Sequence, residues 1–213
     1  MANELSKITN LLGDLEEEPL LALVKERMAA NDDPMAIVEA CRKGMQIVGE
    51  RFTACEYFVS ELIVSAELFN SVMKILGPKL SAGKAGKPKT KVVFGTAQGD
   101  VHDIGKNIAV AMLRCDGYEV YDVGTDVPPK VFVDKVKETG ATIVGFSGLL
   151  TVAFSAMEAT VKALKDAGLK NKVKVIIGGC MVNEFVRNQT GADAWGRDAM
   201  EAVKLTKSFS GER

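Results

Sequence analysis

The residue types able to do chemistry concentrate in one stretch, Thr96-Ala97-Gln98-Gly99-Asp100-Val101-His102-Asp103-Ile104-Gly105-Lys106-Asn107. His102 is the only histidine in 213 residues. It follows Asp100 by two positions, and a carboxylate there can hold one ring nitrogen while the other faces a metal. A metal site made of protein alone needs three or four His, Cys or carboxylate ligands, and only Asp100 and Asp103 flank His102. A metal bound here must therefore bring most of its own coordination. A loop histidine that caps the following helix satisfies the same residues, and at this level both readings stand.

Other chemistries are excluded more firmly. The stretch ends in Gly-Lys, but a phosphate loop needs four residues between its glycines and Ser or Thr after the lysine; here there are five, then Asn107. G-x-G-x-x-G is absent as well. Cys41, Cys55, Cys115 and Cys180 form no C-x-x-C pair, a pattern of reduced, buried thiols rather than disulfides or zinc. Two further short motifs stand out: Ser147-Gly148-Leu149-Leu150-Thr151 and Gly178-Gly179-Cys180. Paired glycines after a buried strand let something large lie against the backbone. Each motif alone is ordinary turn chemistry. Together they describe a small-lined groove with hydroxyls from Ser147 and Thr151 at its mouth.

The elements that must position these motifs lie in the second half. Strand-like runs at 91–97, 118–123, 142–146 and 173–177, with a weaker fifth at 192–195, alternate with helical patterns at 104–115, 130–139, 153–167, 183–189 and 197–207. Nearly continuous β-branched strands between amphipathic helices indicate a parallel sheet covered on both faces. The expected fold is α/β: a Rossmann-like (flavodoxin-like) five-stranded domain over 89–213, strand order 2-1-3-4-5. Ligands bind such sheets beyond the carboxyl ends of the strands, beside strand one, where all three motifs fall. Residues 1–88 read as a four-helix bundle, with Asp32-Asp33-Pro34 starting the third helix and Leu62, Ile63, Ala66, Phe69, Met73 and Leu76 facing inward from the fourth. Gly77-Pro78 reads as a helix stop opening a linker over about 77–90. Gly44 and Gly49 inside the third helix imply close helix packing or close approach to a ligand.

Composition sets the remaining bounds. Hydrophobic residues at 47% and charged ones at 26% describe a globular chain, with a mean hydropathy of +0.08. Residues 1–88 carry 10 basic and 13 acidic side chains and residues 89–213 carry 17 and 15. With a net charge of −1 and no basic tract, no nucleic-acid partner is expected. No apolar run reaches the ~18 residues of a membrane span, and the N-terminus lacks a basic start before an apolar core. No membrane association and a cytoplasmic location are expected.

Asp100-x-His102-x-x-Gly105, Ser147-x-Leu149 and Gly178-Gly179, each at a strand end, resemble the cobalamin-binding domain of corrinoid proteins whose histidine replaces the cofactor's own base. Gly44-Met45, Val48-Gly49-Glu50-Arg51-Phe52, Tyr57-Phe58-Val59-Ser60-Glu61-Leu62 and Ser65-Ala66-Glu67 resemble the helical cap of methionine synthase and of small methyltransferase corrinoid proteins. The resemblance spans about residues 5–207. It implies a cobalamin or related corrinoid cofactor with His102 as the lower axial ligand of cobalt, Asp100 accepting the other ring N–H and Ser147 extending that relay. Gly99, Val101, Asp103, Ile104 and Gly105 would contact the cofactor, and Leu149, Thr151, Gly178 and Gly179 would line the slot for its displaced nucleotide tail. Phe52 and Val59 would cover the upper cobalt face. The implied activity is methyl carriage: cob(I)alamin takes a methyl group activated by a substrate-specific corrinoid methyltransferase, and a second methyltransferase passes it to a thiol or folate. A reductive activase is a further implied partner. A mutase subunit, a cobalamin-dependent sensor and a non-corrinoid flavodoxin-like module are the rival readings.

Overall fold

The computed structural model describes residues 2–80 and 90–211. The chain divides into two compact units, Met1–Lys87 and Pro88–Arg213. In the first, α1 (Ala2–Gly13), α2 (Glu17–Ala29), α3 (Pro34–Thr53) and α4 (Val59–Leu80) pack as a bundle. Asp33 caps α3 by accepting the Met35 N–H at 3.0 Å, and Pro34 fills the first turn, where its missing donor is not needed. Glu61 closes the start of α4 by accepting the Phe58 N–H at 2.7 Å. Buried Ile8, Leu12, Leu20, Val24, Ile37, Cys41, Val48, Leu62 and Leu76 make the core.

Two expectations change here. α4 does not stop at Gly77 but continues to Leu80. A proline disfavours the helical region for the preceding residue in part by colliding with its Cβ, and Gly77 has none. Ile63 points outward and is exposed, along with Val64 and Phe58; the inward stripe runs instead through Leu62, Ser65, Ala66, Leu68, Phe69 and Val72. The linker expected beyond the helix falls on 81–89, outside the described residues.

The second unit is a five-stranded parallel sheet: β1 (Lys91–Thr96), β2 (Glu119–Asp122), β3 (Ile143–Ser147), β4 (Lys174–Gly178) and β5 (Ala194–Gly196), in the order β2-β1-β3-β4-β5. α5 (Ile104–Cys115) packs with α9 (Ala199–Ser210), and α6 (Pro129–Thr139) packs with α7 (Val152–Asp166), which also meets α8 (Glu184–Thr190). The expected order and alternation are thus observed. A core cluster joins the sheet to α6, α7 and α8 around Phe132 and Phe146, whose rings meet edge to face at 4.8 Å. Strand glycines make room for aromatic rings: a Cβ on Gly145 would lie 2.3 Å from the Phe94 ring. The loops after β1 and β3 diverge, because β1 is followed in sequence by the strand on one side of it and β3 lies on the other. That divergence opens the crevice the chemistry needs.

Gly44 lies where α1 crosses α3. A Cβ there would stand 2.8 Å from both the Thr9 carbonyl oxygen and Leu12 Cβ, so close helix packing accounts for this glycine. Gly44→Ala sets two effects against each other. Alanine is favoured over glycine in a helix by about 1 kcal/mol, whereas overpacking a tight contact costs about 1–3 kcal/mol. The contact should win, and urea unfolding of the full chain should show a net loss of stability; a gain would mean that α1 and α3 separate freely.

Candidate functional site

The loop between β1 and α5 turns at Gly99, whose φ of +86° a side chain would strain. That turn buries Asp100 completely and leaves the His102 side chain 50% exposed. One Asp100 oxygen, Oδ1, accepts both the His102 main-chain N–H at 2.9 Å and a hydrogen bond from ring Nδ1 at 2.7 Å. The other, Oδ2, accepts the main-chain N–H groups of Leu149 at 2.6 Å and Leu150 at 2.9 Å, across the crevice in the loop after β3. The buried Thr96 hydroxyl donates to the His102 carbonyl at 3.4 Å.

These contacts fix the electrostatics. Burial pushes the Asp100 carboxyl up, but hydrogen bonds from the Leu150 N–H, the His102 N–H and ring, and the Leu149 N–H outweigh it and hold the group down at about 2. Asp100 is therefore an anion at neutral pH and can only accept. Nδ1 must carry the proton in that bond, so a neutral ring keeps its lone pair on Nε2, which has no partner among the described residues. An imidazole in that tautomer can serve as a ligand through Nε2. Among the described residues, no group of three or more His, Cys, Asp or Glu side chains is placed to hold a metal ion.

Asp103, Val101 and Ile104 surround His102, all three exposed; the Asp103 side chain accepts from Asn107 at 3.1 Å. Ser147 is not among the donors to Asp100, so the expected relay is not formed; all four of the carboxylate's bonds come from main-chain N–H groups and the histidine ring. Ser147 lines a cavity of about 130 Å³ instead, with Phe94, Gly105, Lys106, Ala109, Ile176, Gly178, Gly179, Cys180, Gly196 and Arg197. It runs from the strand ends toward α5 and α9, on the face of the sheet opposite the core cluster around Phe132. Leu149 serves the site through its N–H and does not line this cavity, and Thr151 is exposed beside it.

The two glycines differ. Gly178 lines the slot, and a Cβ there would come 3.2 Å from the Gly196 carbonyl oxygen. Gly179 has φ +142°, and a Cβ would fall 1.9 Å from the Gly148 carbonyl oxygen. Its lack of a side chain is required by the crossing of the β3 and β4 loops, before any ligand enters.

Sequence reasoning missed three parts. The Leu150 N–H is a main-chain group that no side-chain motif reports. Lys106 is buried and ion-paired with Asp122 at the end of β2, bracing the first turn of α5; its partner is sixteen positions away, and nothing local marks it. The third part is an apolar rim. Of the seven large hydrophobic side chains exposed in this unit, six (Val101, Ile104, Leu150, Val152, Met181 and Phe185) sit in the loops after β1, β3 and β4 or in the turns that follow. Exposed apolar residues gathered at one end mark a binding face.

A lone histidine with Nε2 open, an apolar rim around it and a slot behind the sheet are the parts that a broad, flat metal macrocycle carrying a tail would need. The residues present fit such a group. Residues 90–204 match the model of a B12 binding domain, and residues 4–76 match a second B12 binding domain model. Trimethylamine corrinoid protein 1 of Methanosarcina acetivorans is 34% identical over 206 residues, 96% of this chain and 95% of that protein. A cobalamin-binding protein from Desulfitobacterium hafniense DCB-2 superposes with a TM-score of 0.82 at 42% identity, covering 96% of this chain and 98% of that one. A chain of the methanol:cobalamin methyltransferase complex from Methanosarcina barkeri gives a TM-score of 0.85 at 26% identity, covering 99% of this chain and 81% of that one. The chain belongs to the B12-binding family of corrinoid proteins, and its cofactor is a corrinoid.

The Asp100 carboxyl group lies below its unfolded value, so its contribution is present above about 3.8 and lost as the pH falls through about 2. The difference amounts to about 2 kcal/mol. Asp100→Asn turns an acceptor of four N–H groups into a group that must present two donors of its own. Urea unfolding of the cofactor-free chain should show a loss of about 2–4 kcal/mol at neutral pH. The difference from wild type should shrink between about pH 4 and 2, as wild type loses the carboxylate.

Proposed function

We propose that this corrinoid protein carries a methyl group on cobalt, receiving it through a partner methyltransferase that activates a substrate and yielding it to a second methyltransferase that serves a thiol or folate. The observation that carries the reading is the His102 imidazole, fixed at Nδ1 by a buried carboxylate and open at Nε2. Relatives support the direction of transfer: they are named for trimethylamine and dimethylamine, and one similar chain lies in a methanol:cobalamin methyltransferase complex. A small methylated compound is the corresponding donor class, chosen by the partner enzyme. A reductive activase would keep the system in its reduced, methyl-accepting state. Neither nucleic acid nor membrane belongs in this scheme: the net charge is −1 and no helix among the described residues is long and apolar enough to cross a membrane. The cytoplasm is the compartment we assign.

When bound, the corrinoid's cobalt supplies the nucleophile that accepts the methyl group. The chain's own residues do the rest. His102 offers Nε2 from below, and Asp100 keeps the ring in one tautomer and one orientation whether or not Nε2 is coordinating. The apolar rim would hold the macrocycle, and the cavity lined by Gly105, Ser147 and Gly178 would take the tail. Phe52 is half-buried in the last turn of α3, and Val59 is exposed at the start of α4.

Two experiments test this. His102→Ala should hold cobalamin weakly or with the cofactor's own base on cobalt, and should lose methyl transfer; an unchanged visible spectrum and transfer rate would remove the ligand assignment. Gly105 offers a cleaner test of the slot, since a Cβ there meets nothing within 4 Å. Gly105→Leu should leave the stability of the cofactor-free chain within about 0.5 kcal/mol and weaken cobalamin binding by about tenfold or more (roughly 1.4 kcal/mol per tenfold). Unchanged affinity would place the tail elsewhere.

A further inference from the structure

The His102 loop is gripped from a second side, by a residue outside every motif noted in the sequence. Asp126 lies in the loop between β2 and α6. Its Oδ1 accepts the Gly99 N–H at 2.7 Å, and its own N–H donates to the Asp100 carbonyl at 2.9 Å. One residue thus holds two successive positions of the loop that carries the histidine. Around this pair the Thr96 N–H donates to the Gly124 carbonyl at 2.9 Å, and the Val127 N–H donates to the Thr96 carbonyl at 3.0 Å. Asp126 adopts φ +53°, the left-handed region, which costs a residue with a side chain and is tolerated best by Asn and Asp. Backbone in that region persists where its surroundings hold it, and here the bonds to Gly99 and Asp100 hold it.

The two grips act on different atoms. The bonds to Leu149 and Leu150 fix the Asp100 side chain and say little about its main chain. Asp126 engages the Asp100 carbonyl and the N–H one residue earlier, so it sets the backbone from which Asp100 reaches His102. We propose that Asp126 is a positioning residue for the axial histidine: by fixing Gly99 and Asp100 it sets the place from which Nε2 meets cobalt. The proposal rests on the corrinoid reading above. Asp126 is exposed, so its replacement should spare the fold.

The test uses the full chain labelled with 15N-histidine and loaded with cob(II)alamin. Electron paramagnetic resonance then reports whether the axial nitrogen on cobalt is 15N from the protein or 14N from the cofactor's base. Three variants separate the contributions. Asp126→Asn keeps an acceptor and tolerates the backbone angle; Asp126→Gly removes the acceptor and relieves the angle; Asp126→Ala removes the acceptor and strains the angle. Wild type and Asp126→Asn should show the 15N pattern. Asp126→Gly and Asp126→Ala should raise the ratio of histidine-free to histidine-bound cobalt by about tenfold, the size of effect a lost charge-assisted hydrogen bond produces. In the cofactor-free chain, amide exchange at Gly99 should quicken in the same two variants. Asp126→Gly and Asp126→Ala that keep the wild-type ratio overturn the proposal, whatever their melting temperatures. A wild-type spectrum with no 15N coupling is a different failure, because it removes the axial ligand itself.

Discussion

The Asp100 carboxylate is fully buried, stays charged, and draws its four hydrogen bonds from two separate loops; the geometry of the site follows from that requirement. An unpaired buried charge costs several kcal/mol, far more than its neighbours can absorb. The loop after β1 and the loop after β3 must therefore come together within hydrogen-bond distance of one side chain. In a parallel sheet this is possible where adjacent strands send their chains to opposite faces, and β1 and β3 are such a pair. The topology supplies the crevice, the carboxylate bridges it, and the histidine is held as part of the same bridge.

The glycines show how closely the rest is drawn in around that bridge. Gly148 sits against Met157, Ala153 and the Asp100 carboxylate, and its N–H donates to the Gly178 carbonyl at 3.0 Å. Gly179 then passes so near the Gly148 carbonyl that no side chain fits. The loop after β4 is thereby fixed to the loop after β3, which is fixed to Asp100. On the other side, Asp126 and the Lys106–Asp122 ion pair tie the β2 end to the histidine loop and to the first turn of α5. Four strand ends form one connected frame, and the slot behind the sheet is a gap within it rather than a separate feature.

Much of this was legible in the sequence, for physical reasons that differ by element. The strand order followed from alternation and the switch-point rule, because buried parallel strands have a strong composition signal. Asp100 and His102 were legible as a pair because donor and acceptor stand two positions apart and the interaction is local. Ser147 does not join the expected relay: a hydroxyl at the right strand end looks like a partner, but main-chain N–H groups reach Asp100 first, and every residue except proline has one. The role of Gly179 was assigned to the ligand, whereas the contact that demands glycine is with Gly148, a pairing between two loops that only the register of β3 on β4 creates. Ile63 was placed inward because a helical stripe read from spacing cannot tell a core face from an adjoining exposed face when both are apolar. The role of Asp126 left no trace, since its bonds cross 27 positions and its backbone angle is invisible to composition.

The division of labour that results would resolve a conflict built into the axial role proposed for His102. A nitrogen that must leave a metal and return cannot also be what holds the cofactor in place. Here the holding would fall to surfaces with little directionality: the apolar rim of Val101, Ile104, Leu150, Val152, Met181 and Phe185, and the small-lined slot. Such burial is proportional to area and indifferent to the ligand state of cobalt. Direction comes instead from hydrogen bonds that lie behind the imidazole, at Nδ1 and in the main chain, none of which involves Nε2. Breaking a bond at Nε2 would leave every one of them intact, and the ring would stay aimed in the same direction. The half-exposed histidine is thus compatible with a rigid site, because what is rigid is the frame behind it.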